Sequence, residues 1–433
     1  MPQTGQEKVV VVQDGTRLHY AVPVGLQRRG ALERVYTDWY AKGGVFERVA
    51  SAVAGRIRRG SGRRLLERHS AELDARRVYR SAGLVVKQAR ARKRFASPEA
   101  HWAWCSETLG EWILSRGFGG GTAVHGFVRN ISPGLCNTAR SRGLSVVVDQ
   151  MIAPMHEEHR QWEIQRERFP EWATTPPGFA ASGGAASGAP AWDAAGQAAG
   201  GVPEAVQRIE EATWSAAHHV TCASEYVRRG LVEAGVGAEK VTVLPYPLDA
   251  SRFSTAGGVR VAGPRAVTAG FVGAVGLRKG VPYLLQVAAR LPGVLFELVG
   301  PMTVPQGVLG ASPNVSVVGT LPRSAIAERM AGWDMFVFPS TCEGSAVAVM
   351  EAMASGLPVV TSPNSGAPIR DGVEGFVRAY DDVEGLAGAV ERLAGDRALR
   401  RDMGQAGREA VARQTIDAYA DGLLRIFREI RKR

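Results

Sequence analysis

Short apolar runs alternate along the chain with longer segments in which apolar positions recur every three or four residues. In the N-terminal half such strand-like runs occur at Val9–Val12, Leu32–Thr37 and Ser145–Asp149. Buried parallel strands are nearly continuous apolar runs, whereas helices that cover a sheet follow a period of 3.6. The alternation therefore predicts an α/β protein whose parallel sheets are covered by helices on both faces.

A second alternating series begins at Ala266, after a stretch at 254–264 with few regular signals. The predicted strands of this series are Val267–Val272, Leu295–Val299, Val315–Val318, Met335–Phe338 and Val359–Thr361. The predicted helices at its end are Val383–Leu393, Arg397–Arg413 and Ile416–Lys432. Two such series predict two domains, at residues 1–253 and 254–414, followed by a last helical segment at 415–433.

Three segments differ from this simple alternation of strands and helices. Residues 174–202 consist mostly of Gly, Ala, Ser and Pro, which predicts a flexible insertion within the first domain, either a neutral surface loop or a flap near the site. Leu18–Arg29 is predicted as a helix despite Pro23. The basic region that ends at about Arg94 is also predicted as helical.

The net charge of +11 is concentrated in this basic region. Fourteen Lys or Arg residues lie between Arg56 and Arg94, against three acidic residues. The segment is either a solvated face, which we favour, or an amphipathic surface that contacts an anionic membrane or an acidic acceptor. Nucleic acid is not expected as a partner, because no aromatic ladder or recognition motif accompanies the charge.

The four cysteines are far apart and form no Cys-x-x-Cys pair, which argues against a zinc site or a disulfide framework. The apolar run near the N-terminus is too short for a signal peptide, and no run approaches the roughly 20 apolar residues that span a bilayer. We expect a cytoplasmic protein, either free or peripheral to the inner face of the membrane.

The stretch 338–361 (FPSTCEGSAVAVMEAMASGLPVVT) carries the clearest chemistry. Strand, polar turn, helix and strand follow one another, with Glu343 in the turn and Glu351 about two turns along the helix. Exposed amides at a helix start, together with its positive dipole end, suit a phosphate. The stretch is therefore predicted to form half of a nucleotide site.

The first strand of the second series runs into GFVGAVGLRKG at 270–280 and then into a helix from Val281. Glycines let the backbone approach a pyrophosphate, while Arg278 and Lys279 would neutralise its charge. The pattern matches neither the GxxxxGK[ST] loop nor the GxGxxG motif, so those two nucleotide-binding classes are not indicated.

Taken together, Gly273–Gly280, Glu343–Glu351 and the following AMASGLPVV resemble the retaining glycosyltransferases of family four, which have the GT-B architecture. The resemblance covers almost all of residues 266–425 and is looser in the first half, at 218–227, 240–245 and 32–40. It implies two Rossmann-like domains that face each other across a cleft, with the helix at about Ile416–Lys432 crossing back to the first.

The resemblance also implies roles for individual residues. A nucleoside diphosphate sugar would be held by the second domain, with Arg278 and Lys279 on the diphosphate. Glu351 would bind the ribose hydroxyls, and Glu343 would hold the sugar and stabilise positive charge at the anomeric carbon. The backbone positions implied in donor binding are Gly15, Gly273, Gly344, Ser345 and Ala346. No metal and no further cofactor is expected.

The sequence departs from the family pattern at several positions. Ala274 stands where many members have Arg after the first glycine of the phosphate loop, and Gly15 stands alone where many have two glycines.

His125 is expected at a strand end, pointing into the cleft. It is either a sugar or acceptor contact or a structural residue. Asp149 and Gln150 are expected to face the same cleft.

The predicted reaction transfers a sugar, which we expect to be a hexose, from a nucleoside diphosphate sugar to an acceptor. The configuration at the anomeric carbon is retained. Two alternatives are a GT-B nucleotide-sugar epimerase and a non-catalytic nucleotide-sugar-binding protein. The expected acceptor is a glycan, a lipid-linked molecule or a small molecule. Sequence alone leaves open the sugar, the base, the acceptor, the oligomeric state and the role of 174–202.

Overall fold

The structure is a computed structural model that describes residues 7–41, 68–95, 98–173, 204–250, 253, 266–310 and 312–432. It contains two sheets in which all recorded strand pairs are parallel. The predicted insertion, the boundary stretch at 254–264 and residues 56–67 of the basic region lie outside the described residues. The predicted α/β class with two Rossmann-like sheets is confirmed.

The N-terminal half, as we call the part built on the first sheet, has seven strands in the order β3-β2-β1-β4-β5-β6-β7. The strands are β1 (Val9–Val12), β2 (Leu32–Thr37), β3 (Val78–Arg80), β4 (Ala123–Phe127), β5 (Ser145–Gln150), β6 (His219–Cys222) and β7 (Val241–Val243). The helices are α1 (Ala21–Arg28), α2 (Ala82–Ala91), α3 (Pro98–Arg116), α4 (Pro133–Ser141), α5 (Met155–Arg168), α6 (Glu204–Ala216) and α7 (Glu225–Glu233). Alternate residues of β1 enter different cores on the two faces of this sheet, which explains its uninterrupted valines.

The C-terminal half has six strands in the order β10-β9-β8-β11-β12-β13. The strands are β8 (Val267–Val272), β9 (Val294–Val299), β10 (Val315–Gly319), β11 (Met335–Phe338), β12 (Val359–Thr361) and β13 (Gly375–Val377). The helices are α8 (Val281–Arg290), α9 (Arg323–Gly332), α10 (Val347–Ala354), α11 (Val383–Gly395), α12 (Arg397–Ala412) and α13 (Ile416–Lys432). In both sheets the chain reverses its winding direction beside the first strand, where α/β proteins bind ligands at the carboxyl ends of the strands.

The structure corrects three local predictions. Val78–Arg80, expected within a basic helix, is instead the short edge strand β3. Helix α1 begins only at Ala21, because Leu18–Tyr20 adopt left-handed backbone angles; Pro23 therefore lies in its first turn, where a missing N–H is tolerated. Strand β13 was not predicted, because its residues GFV lack the β-branched run that marks the equally short β12.

Helix α13 returns to the N-terminal half, as predicted. Gly25 of α1 lies directly against it, because an added Cβ there would lie 2.9 Å from the Ala420 Cβ. Arg29 donates to both carboxylate oxygens of Asp421 at 2.6 and 2.7 Å. Within the described residues, no helix is both long and apolar enough to cross a membrane.

Candidate functional site

A close approach of two loops brings the predicted cations to the carboxyl end of β11. Gly280 has φ +70, and a Cβ there would lie only 1.8 Å from the Pro339 carbonyl oxygen, so only glycine fits. The Arg278 carbonyl then accepts bonds from the Thr341 amide at 3.0 Å and the Ser340 hydroxyl at 2.8 Å. The turn that carries the two cations is thus fixed to the loop that carries Glu343.

Glu343 forms ion pairs with both cations. Its Oε1 accepts from Arg278 Nη1 at 3.0 Å, and Lys279 Nζ donates to the same oxygen. Ser340 Oγ adds a bond at 3.2 Å. The side chain of Arg278 is 38% exposed, whereas those of Lys279 and Glu343 are 15% and 11% exposed. Arg278 therefore retains an open face while the other two side chains are enclosed.

The surroundings shift the pKa values of this trio. Burial and repulsion from Arg278 lower the pKa of Lys279 to about 8, although Glu343 opposes the shift. Burial alone would raise the pKa of Glu343, but the two cations outweigh it and hold that pKa below its usual value. The carboxylate is thus ionised at neutral pH, and Lys279 is mostly but not wholly protonated.

Glu351 lies in α10 and is 6% exposed, so it is not the solvated helix acid that a chance pattern would give.

Two of the backbone amides predicted to bind the donor are already hydrogen-bonded within the protein. The Ala346 amide donates to the Ser365 carbonyl at 3.0 Å and is therefore not presented to a ligand in this structure. Ser345 lies half-buried just before α10. Gly273 donates its amide to Val299, beside the Lys279 side chain.

The loop that carries Glu343 also contacts the N-terminal half. A Cβ on Gly344 would lie 1.6 Å from the Met151 carbonyl oxygen, so this contact requires glycine. Ser224 Oγ, at the start of α7, donates to the Gly344 carbonyl at 2.6 Å. The carboxyl ends of the two sheets therefore face each other, and the cleft between them is closed at this loop.

Helix α5 forms a second link between the halves. Arg168 Nη1 donates to the Tyr283 hydroxyl at 3.0 Å and to Asp381 at 3.1 Å, while Tyr283 donates to Gln165 at 2.7 Å. The rings of Phe169 and Tyr283 meet edge to face at 5.1 Å. One end of this helix is thus attached to the C-terminal half.

A buried charge chain that the sequence reading did not predict runs from the other end of α5 towards the cations. Arg129 has φ +71 and donates to Glu158 at 2.5 Å and to Glu210 at 2.7 Å. Burial raises the pKa of Glu158, while attraction to Arg129 and then to Arg278 lowers it. A charged residue two positions after the end of a buried strand was the available sequence signal for Arg129.

Two predicted site positions of the N-terminal half, His125 and Gly15, are placed differently from expectation. His125 lies in the middle of β4 rather than at its end, is fully buried, and has its ring edge-on to Phe127 at 5.5 Å. Burial lowers its pKa to about 4, and neither ring nitrogen has a hydrogen-bond partner among the described residues. The Gly15 amide donates to Asp38 at 2.9 Å, so it does not point at a donor here.

Asp149 and Gln150 are also occupied by structural contacts rather than open to the cleft. Asp149 accepts bonds from Tyr246, Tyr419 and Thr221, which ties the chain after β7 and the start of α13 to the first sheet. Gln150 donates to Glu210 at 2.9 Å. Asp149 therefore stabilises the connection between the halves, whereas Gln150 is bonded within the N-terminal half.

The C-terminal half is similar in sequence to known glycosyltransferases. Residues 266–396 match the family model described as glycosyl transferases group 1. The lipopolysaccharide core biosynthesis glycosyltransferase LpsE of Rhizobium meliloti (strain 1021) is 30% identical over 164 residues, which are 35% of this chain and 46% of LpsE. The chain spans between 28% and 57% of the length of the first three curated relatives it matches.

Solved structures extend the similarity to the whole chain. Sucrose-phosphate synthase from Thermosynechococcus elongatus superposes with a TM-score of 0.66 and 15% identity, covering 99% of this chain and 100% of that one. Alr3699/HepE of Anabaena, in complex with UDP-glucose, superposes with a TM-score of 0.54 and 14% identity, covering 98% and 99%. The fold is therefore the two-sheet GT-B architecture, and residues 266–396 of its C-terminal half match the glycosyl transferases group 1 model.

Proposed function

We propose that the protein is a retaining glycosyltransferase of family four and that the sugar it transfers is a hexose. It transfers a sugar from a nucleoside diphosphate sugar to a hydroxyl acceptor. The observation that carries the proposal is the convergence of Arg278, Lys279 and Glu343 at the carboxyl end of β11 within the group 1 segment. Two cations beside one carboxylate suit a diphosphate attached to an electron-poor sugar carbon.

In the proposed reaction the bond between the anomeric carbon and the diphosphate oxygen breaks, and the electron pair stays on the diphosphate. The acceptor oxygen bonds to the anomeric carbon on the same face, and its proton passes to the departing diphosphate. Arg278 and Lys279 stabilise the charge on the leaving group, so the reaction is proposed to need no metal and no cofactor beyond the donor. Glu343 stabilises the positive charge that develops on the sugar.

The proposal assigns Glu351 to the ribose hydroxyls of the donor. A carboxylate that is 6% exposed and fixed in α10 suits bidentate binding of a hydroxyl pair. The complex of Alr3699/HepE contains UDP-glucose, which makes UDP-glucose the first donor to test here. The proposal extends to Gly273, Gly344 and Ser345 as backbone neighbours of the diphosphate.

A thermal-shift screen over nucleotide sugars tests the binding half of this proposal, because a ligand that binds the folded state raises its apparent stability. Nucleotide release is then measured with and without candidate acceptors. Release that depends on acceptor supports transfer. Turnover of donor without acceptor indicates the epimerase alternative, and binding without any product indicates a non-catalytic nucleotide-sugar-binding protein.

Contact with an anionic membrane is a separate proposal that one observation favours. Helix α2 and the turn after it present the exposed side chains of Val86, Lys87, Arg90, Arg92 and Arg94. Basic residues around an exposed apolar side chain suit an anionic lipid surface. Flotation with vesicles of phosphatidylserine and phosphatidylcholine tests it, and absence of co-flotation at low salt would leave this surface as a solvated face.

A further inference from the structure

We propose that a polar cluster in the N-terminal half binds the hydroxyl groups of an uncharged sugar or polyol acceptor. The inference rests on the proposed glycosyl transfer and names the acceptor class for it. We define the acceptor cluster as Gln13, Asp14, Arg17, Asp38, Arg68 and Asn130.

The cluster lies where the first sheet changes its winding direction. Gln13 directly follows β1, Asp38 directly follows β2, and Asn130 is in the turn after β4. Because β1 is paired with β2 on one side and β4 on the other, these three strand ends are neighbours. Ligands of parallel α/β sheets bind at this edge, which is the edge that faces the donor site.

Hydrogen bonds fix the geometry of the cluster without using all of its polar atoms. Asp38 accepts from the Gly15 amide at 2.9 Å and from Arg68 Nη1 at 2.6 Å. Arg17 Nε donates to Asn130 Oδ1 at 3.0 Å. Gln13 Nε2 donates to the Gly15 carbonyl at 3.0 Å. Each amide side chain is thus held by one end within the cluster.

The other end of each amide has no partner among the described residues. Asn130 Nδ2 is a buried donor and Gln13 Oε1 is a buried acceptor. The two residues are 3% and 0% exposed. Buried polar groups are almost always hydrogen-bonded, so an unused donor and an unused acceptor point to a ligand. A hydroxyl group both donates and accepts, and it therefore complements this pair.

The charges of the cluster favour an uncharged ligand. Two arginines face two aspartates, so there is no surplus positive charge when both acids are ionised. Burial and the neighbouring Asp38 raise the pKa of Asp14 to about 7, so above this pH the two aspartates balance the two arginines, and below it the protonated Asp14 can donate to a hydroxyl group. The side chains of Asp38 and Arg68 are 14% and 30% exposed, which opens the cluster to the surface.

The cluster is also connected to the donor site. Arg17 Nε donates to Asn130 Oδ1 at 3.0 Å, and Asn130 directly follows Arg129 in the chain. Arg129 is bonded to Glu158, whose charge in turn interacts with Arg278. The acceptor cluster is therefore linked through Asn130 and Arg129 to Glu158, which interacts electrostatically with Arg278 of the Glu343 trio.

The test compares the wild type with two variants by saturation-transfer NMR. The probes are glucose, mannose, galactose and myo-inositol, each against glucose 6-phosphate, at millimolar concentration. Asn130→Asp keeps an oxygen for Arg17 and replaces the unused N–H donor by a carboxylate oxygen, which also adds a negative charge. Gln13→Met removes the unused acceptor, and Asn137→Asp adds the same charge at an exposed position of α4 as the control. Donor binding is read by thermal shift in every protein.

We expect at least one neutral probe to bind the wild type, and its affinity to fall about tenfold or more in Asn130→Asp and Gln13→Met but not in Asn137→Asp. Donor shifts and melting temperatures should stay unchanged. Equal binding in all proteins, binding of glucose 6-phosphate alone, or no binding of any neutral probe would overturn the inference. Failure of the proposed function is distinct, because it removes the donor shift from the wild type itself.

Discussion

The Glu343 carboxylate accepts a hydrogen bond of 3.0 Å from Arg278 and a second from Lys279, so the two proposed diphosphate ligands are paired internally. A diphosphate must compete with this carboxylate for the same two cations. Glu343 therefore has two opposite effects in the proposed reaction: it weakens binding of the bare nucleotide and stabilises the charge on the sugar.

Glu343→Gln is expected to separate these effects. Without the competing charge, UDP should bind several-fold more tightly, whereas transfer should fall by about 10²–10³ because stabilisation of the transition state is lost. Isothermal titration with UDP and a steady-state transfer assay measure the two quantities. Weaker UDP binding in this variant would contradict the competition.

Donor affinity should depend on pH through Lys279. Its pKa is lowered to about 8, so its charge is present below this pH and is lost as the pH rises through it. UDP binding should therefore weaken from about pH 7 to pH 9. In Glu343→Gln the decline should begin at lower pH, because attraction to Glu343 supports the protonated form. A pH-independent affinity over this range would exclude Lys279 as a titrating ligand.

Gly344→Ala should impair closure of the cleft while leaving each half folded. The new Cβ would lie 1.6 Å from the Met151 carbonyl oxygen, so the loop and β5 must separate. We expect a larger radius of gyration in small-angle scattering and loss of transfer, with UDP binding retained by the C-terminal half. Gly388→Ala is the control, since nothing lies within 4 Å of its added methyl group. Wild-type transfer by Gly344→Ala would contradict the role of this contact.

His125→Leu tests whether this histidine is structural. Its imidazole is buried without a hydrogen-bond partner among the described residues and has a pKa of about 4, against 6.5 in the unfolded chain. The wild type should therefore lose about 3 kcal/mol as the pH falls from 6.5 to 4, since the unfolded state takes up the proton first. His125→Leu should flatten this dependence in denaturant titrations and keep transfer activity. Loss of transfer at unchanged stability would instead support a direct catalytic role.

Elements with a clear local pattern, either a continuous apolar run or a repeating helical period, could be predicted from the sequence. The predicted bounds of Met335–Phe338 and Ile416–Lys432 agree with β11 and α13. By contrast, β3 and β13 are three-residue edge strands whose pairing depends on distant neighbours, so no local pattern marks them. The bend before α1 arises from left-handed angles at residues with ordinary helix propensity.

Part of the site could be predicted because glycines and charged residues near strand ends indicate a phosphate-binding site. The sequence indicated that Arg278, Lys279 and Glu343 would share a site, and the structure brings them into contact. It did not indicate that the Ala346 amide is taken by Ser365, since this bond depends on how two loops meet. The strand-end rule could have identified Asp14, Asp38 and Asn130, but their strand order was needed to bring them together.

The central claim, that Arg278 and Lys279 bind the diphosphate of a sugar donor, is tested most directly by Lys279→Ala measured beside Arg290→Ala. Arg290 ends α8, the helix that follows the cation turn, and pairs with Glu384 at 2.8 Å. Calorimetric titration with UDP and with the nucleotide sugar that gives the largest thermal shift should show binding reduced at least about tenfold in Lys279→Ala and unchanged in Arg290→Ala. Wild-type donor affinity in a folded Lys279→Ala protein would contradict the account.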